Sequence, residues 1–505
     1  MLNIYTRKLT NEGYIIYKDK LDTNTYNIIK KDLTMIPNIK EPFNKNILSF
    51  KIYKEYTNYI VLPRYYGISK FGQLDNDNIE LKIIDKYDKI NIKFNGELRD
   101  YQKDIINILL ENYYNSSNIL KNHAGGIISI PPGKGKTVIA INLITQLKIR
   151  TLVIVHKTFL VNQWKERINQ YTNATIGIIQ RDNIDINNKD IVIGMLQSIS
   201  LKNYDSELFS AFPLVIYDEC HHLGAKVFSK SLMKVNANFY LGLSATPDRK
   251  DKLESVFKYF IGDILYKDII NTNSNVIVQM IQYTSDDSIN FKTLYNKAIK
   301  SYNSAKMITN LCKIESRNIL IIKIIKILMQ ENRKILLLTG RCNSSKSSKS
   351  INHIKVITDY LDKDDYLKDK WGLYIGGMKQ IQLELSTLKD IIIGTYEMAQ
   401  EGLDIPSLNT LILATPLKGD ISQTCGRILR KNDSYEYSPK IIDIVDMIEP
   451  FTFKASIRYS YYLNSKYKCS YYNSDYDILN KAFIKSRITK ENIISHKEDN
   501  DIFSD

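Results

Sequence analysis

The chain has 505 residues, 44% of them hydrophobic, which is enough apolar material for roughly two to four domains. Its 70 Lys and Arg residues outnumber its 55 Asp and Glu residues, so the formal charge is +15, which favours a polyanionic partner. The heavy use of Lys, Asn, Ile and Tyr also fits an AT-rich gene, so the charge alone does not decide. The lack of a signal-peptide core, or of any run of about 18 apolar residues, argues against secretion and membrane insertion.

The five cysteines are scattered without a paired framework and predict reduced thiols. Cys220 lies beside His221 and His222, but no second pair of ligands occurs at zinc-finger spacing. We therefore expect a soluble intracellular protein with no structural zinc and no membrane partner.

Residues 1–94 are predicted to form a small N-terminal accessory domain. Asn46–Tyr53 and Tyr59–Leu62 have the composition of short strands, and Pro63–Gly67 and Phe71–Gly72 that of turns. No catalytic pattern occurs in this region, and the sequence leaves open whether it contacts substrate.

Two series of alternating strands and helices follow, at residues 95–265 and 288–450. Near-continuous apolar strands separated by helices predict parallel sheets covered on both faces, an α/β fold. Residues 266–287 are expected to link the two series, and 451–505 to form a helical tail with a disordered end. The Ser- and Lys-rich stretch Asn343–Ser350 is predicted to be a mobile loop. The predicted strands are Thr151–Val155, Ile191–Ile193, Leu214–Tyr217, Tyr240–Leu243, Lys334–Leu338, Trp371–Tyr374, Asp390–Ile393, Thr410–Leu413 and Ile441–Val445.

A glycine-containing loop between an apolar strand and a helix-forming run predicts a phosphate site. Gly133 and Gly135 allow backbone N–H groups to turn toward anionic oxygens, and the helix N-terminus adds unpaired donors. Lys136 is placed to reach the outer phosphates of a nucleotide, and Thr137 to offer its hydroxyl to Mg²⁺. An accidental strand–turn–helix is the alternative. The loop consists of Ile130, Pro131, Pro132, Gly133, Lys134, Gly135, Lys136 and Thr137.

Two acidic residues, Asp218 and Glu219, directly follow the predicted strand Leu214–Tyr217. The carboxyl ends of parallel strands are where ligands bind in open α/β sheets. Asp218 is predicted to hold Mg²⁺, and Glu219 to polarise the attacking water. Two acids after a strand are also a common surface turn, so this pattern gains weight only beside the phosphate loop.

Further candidates follow in chain order. Ser244 and Thr246 end another strand, where small hydroxyl residues suit the relay of nucleotide state. Arg427 and Arg430 are three apart on a predicted helix and therefore share a face. Their permanently charged guanidinium groups suit a transferring phosphoryl group, although arginine pairs at this spacing are commonly solvated.

The ordered motifs resemble those of superfamily 2 helicases of the DExH branch over residues 96–448. They are Gln102, I-P-P-G-K-G-K-T (130–137), D-E-C-H (218–221), S-A-T-P (244–247), G-T-Y-E-M-A-Q-E-G-L-D-I (394–405) and Q-T-C-G-R-I-L-R (423–430). S-A-T-P-D-R-K-D (244–251) is similar to the repair and transcription translocases. P-R-Y-Y-G (63–67) and I-I-D-I-V-D (441–446) are similar to helicases of large cytoplasmic DNA viruses, of the poxvirus transcript-release type.

This resemblance implies two tandem RecA-like domains with ATP and Mg²⁺ between them. It assigns Arg99 and Gln102 to the adenine, Gly402 and Asp404 to the sugar and to coupling, and His221 with Ser244 and Thr246 to coupling. Gln423 would help to place the attacking water, and Arg427 and Arg430 would be arginine fingers. The residues at family positions that contact the nucleic-acid backbone are His156, Lys157, Gln197, Arg341 and Thr395.

Two positions depart from the family pattern. Ile130 stands where a small residue is usual, which leaves more bulk behind the loop, and Lys252 stands where relatives often have glycine. Neither is a predicted catalytic group.

Three functions remain open at this stage. The favoured one is an ATP-driven DNA helicase or translocase in viral transcription or repair, located, if viral, in the host cytoplasm or the virion. An RNA helicase would use the same motifs, because contacts to 2′-hydroxyl groups cannot be read from them. A non-catalytic nucleic-acid scaffold is the third, and the intact Lys136, Glu219, Arg427 and Arg430 argue against it. In Arg458–Tyr472, tyrosines alternate with basic residues, which fits either base stacking or a packed helix.

Overall fold

The computed structural model describes residues 7–36, 49–82, 84–114, 125–131, 133–245, 253–268, 275–298, 300–342, 352–401, 405, 407–417, 421–428, 437–477 and 482–485. The chain separates into two compact units, Met1–Ile269 and Ile270–Asp505. The predicted loop Asn343–Ser350 and the predicted disordered end lie outside the described residues.

Residues 7–82 form a small antiparallel sheet with two short helices. The sheet has the order β1-β2-β6-β5, from β1 (Arg7–Thr10), β2 (Gly13–Tyr17), β5 (Lys54–Glu55) and β6 (Tyr59–Leu62), while β3 (Thr34–Met35) pairs with β4 (Phe50–Lys51). The helices are Thr23–Asp32 and Arg64–Phe71, and 3₁₀ turns occupy Lys18–Lys20, Asn76–Asn78 and Ile84–Lys86. The predicted strand at Tyr59–Leu62 is confirmed.

The turns predicted at Pro63–Gly67 and Phe71–Gly72 are instead the start and end of the helix Arg64–Phe71. In the sequence, Gly67 is typical of a turn, but in the structure it allows close packing against Tyr14. A β-carbon on residue 67 would lie 2.3 Å from the β-carbon of Tyr14. Pro63 precedes the first helical residue, a position where its missing N–H costs nothing.

This N-terminal region shares one hydrophobic core with the parallel sheet of the first unit, so it is not compact on its own. The buried guanidinium group of Arg64 donates to the carbonyl oxygens of Ala237 and Asn238, at 2.8 and 2.7 Å. Tyr66 packs edge-on against Tyr259, with ring centroids 5.2 Å apart. These contacts attach residues 7–82 to the first unit, and the accessory domain with its boundary near residue 94 stays a prediction.

The first unit is built on an eight-stranded sheet in the order β10-β9-β11-β8-β12-β13-β7-β14. All pairs are parallel except β9 with β10. The strands are β7 (Gly125–Ser129), β8 (Thr151–Val155), β9 (Ile176–Gln180), β10 (Asn183–Asp185), β11 (Ile191–Met195), β12 (Leu214–Asp218), β13 (Phe239–Ser244) and β14 (Ile264–Lys267). The helices are Asp100–Asn112, Lys136–Leu147, Thr158–Tyr171, Leu196–Leu201, Ser206–Ser210, Ser229–Lys234 and Glu254–Ile261, with a 3₁₀ helix at Cys220–Gly224.

The second unit has its own eight-stranded sheet, in the order β19-β20-β18-β21-β22-β15-β23-β24. All pairs are parallel except β23 with β24. The strands are β15 (Ile277–Tyr283), β18 (Ile335–Thr339), β19 (Trp371–Tyr374), β20 (Ile391–Thr395), β21 (Thr410–Leu413), β22 (Lys440–Asp446), β23 (Lys468–Asp477) and β24 (Ala482–Lys485), with a separate pair β16 (Tyr295–Asn296) and β17 (Ser301–Tyr302). The helices are Ser304–Leu311, Glu315–Gln330, His353–Asp362, Gln380–Thr387, Tyr396–Glu401, Ile421–Cys425 and Phe451–Asn464.

Six strands of each unit repeat one arrangement. The run β9-β11-β8-β12-β13-β7 corresponds, strand for strand in chain order, to β19-β20-β18-β21-β22-β15. The predicted α/β fold with two tandem parallel sheets is therefore confirmed.

The second sheet extends past the expected boundaries on both sides. Strand Ile277–Tyr283 lies within the predicted linker 266–287. The sequence does not indicate this strand, because Gln279 and Gln282 interrupt its apolar run. Strand Lys468–Asp477 lies within the predicted tail and pairs with Ile277–Tyr283.

The start of the tyrosine-rich segment Arg458–Tyr472 belongs to the packed helix Phe451–Asn464. Arg458 is buried and donates from Nε and Nη2 to the carboxylate of Asp443, both at 2.8 Å, and the Tyr462 hydroxyl donates to the same carboxylate at 3.0 Å. Arg458 is thus a core residue in this structure and not an exposed cation.

Among the helices of the described ranges, none combines the length and apolarity needed to span a membrane.

Candidate nucleotide site

The phosphate loop joins strand Gly125–Ser129 to helix Lys136–Leu147, as predicted. Gly133 and Gly135 have φ angles of 81° and 75°, which side-chain-bearing residues rarely adopt. A β-carbon on Gly135 would also lie 2.5 Å from Nε2 of Gln102. The loop therefore requires glycine at residue 135 for both backbone and packing reasons.

Ile130, the residue that departs from the family pattern, is fully buried among apolar side chains of the sheet. Its N–H donates to the Ser244 carbonyl oxygen at 3.1 Å. Its extra bulk thus fills the core behind the loop. Pro131 follows at intermediate exposure, and Pro132 lies outside the described residues.

Gln102 is buried and holds the loop from behind. Its Oε1 accepts from the Arg99 N–H at 3.0 Å, and its Nε2 donates to the Lys134 carbonyl at 3.2 Å. The Tyr101 hydroxyl donates to the same carbonyl at 2.8 Å. Lys134 also pairs with Asp268 at 2.9 Å. The residue assigned to adenine is therefore in direct contact with the phosphate loop.

The two carboxylates stand at the end of strand Leu214–Asp218, beside the loop. Lys136 Nζ lies 3.0 Å from Glu219 Oε1, with side chains only 12% and 14% exposed. Asp218 Oδ2 accepts from the indole N–H of Trp164 at 2.8 Å. Glu219 has a positive φ of 49°, so the strand turns sharply as it leaves the sheet. The structure thus brings Lys136, Asp218 and Glu219 together, as the sequence predicted.

The surroundings shift the pKa values of Asp218 and Glu219 in opposite directions. Burial, followed by the charge of Glu219, raises the pKa of Asp218. Burial also acts to raise the pKa of Glu219, but the Lys136 ammonium group, His221 and hydrogen bonding outweigh it and hold that pKa at about 2. Glu219 is therefore ionised at neutral pH, and a cation near Asp218 would favour its ionised form.

Three of the six histidines of the chain lie in one row beside the carboxylates. His221 Nδ1 is 3.1 Å from Ser244 Oγ and 3.4 Å from Glu219 Oε2, which joins two predicted coupling residues to the site. The ring centroid of His222 lies 4.3 Å from that of His221 and 4.1 Å from that of His156. Burial lowers the pKa of His156 to about 4 and that of His222 to about 2, so both rings are neutral at physiological pH.

The predicted nucleic-acid residues have mixed environments. The His156 ring is buried, and its carbonyl accepts a hydrogen bond from Gln197 Nε2, whereas Lys157 is only half-buried. The guanidinium group of Arg341 donates to Thr309 Oγ1 at 2.9 Å and to the carbonyl oxygens of Ala305 and Gly340. Thr395 is buried at the end of strand β20. Their contacts with nucleic acid stay a prediction.

In the second unit, Gln423 lies in helix Ile421–Cys425 and Arg427 follows at intermediate exposure. The side chain of Gln423 is not among the described parts. Thr246, Gly402, Asp404 and Arg430 also lie outside the described residues, so their roles stay predictions.

Sequence reasoning missed four residues at this site: Tyr101, Trp164, His222 and Asp268. Trp164 is one of two tryptophans in the chain and comes seven residues after Lys157, a predicted nucleic-acid contact. Its rarity is a signal that could have drawn attention to it. The others are set apart by three-dimensional contacts alone.

A phosphate loop, a lysine, and paired carboxylates at the ends of parallel strands define a nucleotide-hydrolysing α/β domain. A family profile described as the res subunit of type III restriction enzymes matches residues 95–249. A protein of Acanthamoeba polyphaga mimivirus that bears the name of an ATP-dependent RNA helicase is 36% identical over 517 residues, covering 99% of this chain and 95% of its own.

A more distant relative and a solved structure extend the comparison. A protein of Sulfurisphaera tokodaii named as a DNA 3′-5′ translocase is 26% identical over 415 residues, covering 73% of this chain and 87% of its own. A fragment described as the HsdR subunit of a type I restriction enzyme from Vibrio vulnificus has a TM-score of 0.50 at 17% identity, covering 76% of this chain and 70% of that one, which shows a similar fold.

The chain belongs to the superfamily 2 helicases, in the group that includes helicases of large DNA viruses. It is an ATP-hydrolysing enzyme that acts on nucleic acid.

Proposed function

We propose that this helicase is a DNA translocase whose first unit holds Mg²⁺-ATP between the phosphate loop and the two carboxylates. The observation that carries the proposal is the convergence of Lys136, Glu219 and Asp218, with Lys136 Nζ 3.0 Å from Glu219 Oε1. A lysine, a buried acid and a helix N-terminus in one place suit a triphosphate, and no purely structural role calls for all three.

Each residue then has a distinct task. Lys136 moves from Glu219 to the outer phosphates and leaves that carboxylate ionised and able to orient the attacking water. The backbone N–H groups of Gly133 to Thr137 surround the phosphate oxygens, while Gln102 fixes the loop and reads the base. His221 and Ser244 report changes at Glu219 to strand β13.

The donor set also fits Mg²⁺. The described residues contain no group of three or more His, Cys, Asp or Glu side chains placed to hold a metal. Mg²⁺ bound to a nucleotide commonly takes one or two protein ligands, with phosphate oxygens and waters completing its shell. Asp218 and the Thr137 hydroxyl would be these ligands, and the ion would neutralise charge on the phosphates.

In the second unit we propose that Arg427 and Arg430 supply positive charge to the transferring phosphoryl group, and Gln423 helps to place the water. We expect Arg430→Ala to keep ATP affinity but to lower nucleic-acid-stimulated turnover about 10³-fold or more. Turnover near the wild-type rate would remove Arg430 from the active site.

The choice of DNA rests on the S-A-T-P-D-R-K-D motif and on similarity to a protein named as a DNA translocase. RNA is the second candidate, because the more similar mimivirus protein bears the name of an RNA helicase.

The test compares ATPase rates with single-stranded DNA, duplex DNA and RNA of matched sequence, and uses Lys136→Ala as the blank. The proposal predicts stronger stimulation by DNA. Stronger stimulation by RNA would select the second candidate, and equal rates with and without any strand would contradict the proposed translocase.

A further inference from the structure

The segment His156–Trp164 contacts Asp218 directly and contacts His222, three residues after Glu219. It leaves strand β8, and its helix Thr158–Tyr171 begins after Lys157 without a side-chain cap. At one end, the ring of His156 contacts that of His222. Two turns into the helix, the indole N–H of Trp164 donates to Asp218 at 2.8 Å. One short segment therefore contacts both the end of strand β12, at Asp218, and the 3₁₀ helix Cys220–Gly224 that follows it, at His222.

The rings of His156, His222 and His221 form a row that links His156 to Glu219. His222 lies between the rings of His156 and His221, at centroid distances of 4.1 and 4.3 Å and interplanar angles of 35° and 36°. His221 Nδ1 is in turn 3.4 Å from Glu219 Oε2. Because the three rings are in contact, we expect a shift of His156 to move His222 and, through it, His221.

The start of the same segment is suited to bind phosphate. The first N–H groups of a helix have no partner within the helix, and Lys157 adds a half-buried cation there. Gln197 holds this bend by donating to the His156 carbonyl oxygen. A strand phosphate that bound at the start of the helix would pull on the backbone of both contacts.

We propose that His156–Trp164 is the element that couples strand binding to the ATP site, with the His156–His222–His221 row positioning Glu219 and Trp164 positioning Asp218. The inference rests on the proposed function, because it takes nucleic acid as the ligand and Asp218 as a Mg²⁺ ligand. His222 and Trp164 are positioning residues, since they act through the carboxylates and their neighbours.

The first test measures the coupling between the two ligands in the full-length chain. The affinity for a fluorescein-labelled oligo-dT strand is measured with and without Mg²⁺ and a non-hydrolysable ATP analogue, and the ratio of the two affinities is the coupling factor. We expect His222→Leu to bring this factor at least about fivefold closer to one, while the strand affinity without nucleotide stays within about twofold.

The matched variants separate coupling from stability. His222→Phe keeps a flat ring in the row and is expected to restore most of the coupling factor. Tyr171→Leu removes a different ring stack, that with Phe94 at 5.6 Å, from the far end of the same helix, and should leave the factor unchanged. Loss of coupling in Tyr171→Leu equal to that in His222→Leu would overturn the inference, as would a normal factor in a folded His222→Leu protein.

The second test addresses the other contact. Trp164→Phe keeps the buried ring but removes the hydrogen bond to Asp218, so the Mg²⁺ concentration for half-maximal ATPase activity should rise about tenfold, as expected for losing a group that orients a metal ligand. An unchanged Mg²⁺ requirement would remove Trp164 from the proposal. If the wild-type chain bound neither DNA nor RNA, the proposed function itself would fail, which is a different result from a bound strand without coupling.

Discussion

Each unit has a helix with a cation near its start. The helix of the first unit comes directly after strand β7, and that of the second unit is the second helix after strand β15. In the first unit the cation is Lys136, the first residue of its helix, which lies 3.0 Å from Glu219. In the second unit it is Arg317, the third residue of helix Glu315–Gln330. Its guanidinium group donates to both oxygens of Asp446, at 2.7 and 2.9 Å, and to the Ala414 carbonyl at 2.8 Å.

The difference between these pairs separates a binding site from a structural lock. Arg317 and Asp446 are fully buried, and three hydrogen bonds fix the guanidinium group. Lys136 makes a single contact with its acid, and both remain partly exposed beside a glycine loop. A partly exposed ammonium group on a flexible stem can change partners, whereas a fixed bidentate fork cannot. Two units with the same strand order thus hold their cations differently, one in an exchangeable pair and one in a fixed pair.

The largest effect should come from removing the exchangeable cation. We expect Lys136→Ala to lower ATP hydrolysis at least about 10³-fold, or about 4 kcal/mol of transition-state stabilisation. We expect a smaller loss of stability than when Arg317 is removed, because water reaches the Lys136–Glu219 pair, whereas Arg317 and Asp446 are fully buried. Steady-state ATPase rates and denaturant melts check both statements, and a stability loss as large as that of the Arg317 variant would break the comparison.

Breaking the buried Arg317–Asp446 pair should mainly lower stability. Arg317→Met leaves Asp446 buried without its cation, so we expect a loss of about 3 kcal/mol in the stability of the second unit. The double variant Arg317→Met, Asp446→Leu should recover much of this loss, since no buried charge remains. Denaturant unfolding in a Trp164→Phe background, followed by the fluorescence of Trp371, reports on this unit. A single variant as stable as the wild type would contradict the assignment of Arg317 as a lock.

A buried histidine of the second unit should give a smaller, pH-dependent effect on stability. His353 is buried in the second unit, with Nδ1 2.8 Å from Thr339 Oγ1 and Nε2 3.1 Å from Asn318 Oδ1. Burial, aided by the nearby Arg317 charge, lowers the pKa of His353 to about 3. The unfolded imidazole takes up a proton near pH 6.5 while the folded one does not, so the unfolded state binds more protons between these values. Stability therefore falls as pH falls through that window.

We expect His353 to account for about 2 kcal/mol of the stability lost between about pH 7.5 and about pH 5. His353→Gln, which keeps hydrogen-bonding groups but cannot titrate, should flatten the pH dependence by that amount. Urea titrations of wild type and variant at both pH values provide the measurement. Parallel pH profiles would show that His353 titrates normally.

Much of the architecture could be read from the sequence, because fully buried parallel strands are nearly continuous apolar runs. Thr151–Val155, Trp371–Tyr374 and Thr410–Leu413 have the predicted bounds. Strands interrupted by polar residues escaped detection, as Ile277–Tyr283 did in the expected linker. The sequence predicts a turn within helix Arg64–Phe71 because glycine is typical of tight bends, whereas Gly67 allows close packing against Tyr14.

By itself, the sequence determined the phosphate loop, the paired acids and the order of motifs, since these depend on residue types at fixed short spacings. Only the tertiary structure decided which cation remains exchangeable, that Trp164 and His222 reach the carboxylates, and that Arg458 is a core residue. Those facts depend on contacts between residues far apart in the chain. A local pattern of charge or aromatic residues carries no information about such contacts, because burial and partner, which decide what a side chain does, are set by the packing of the sheets.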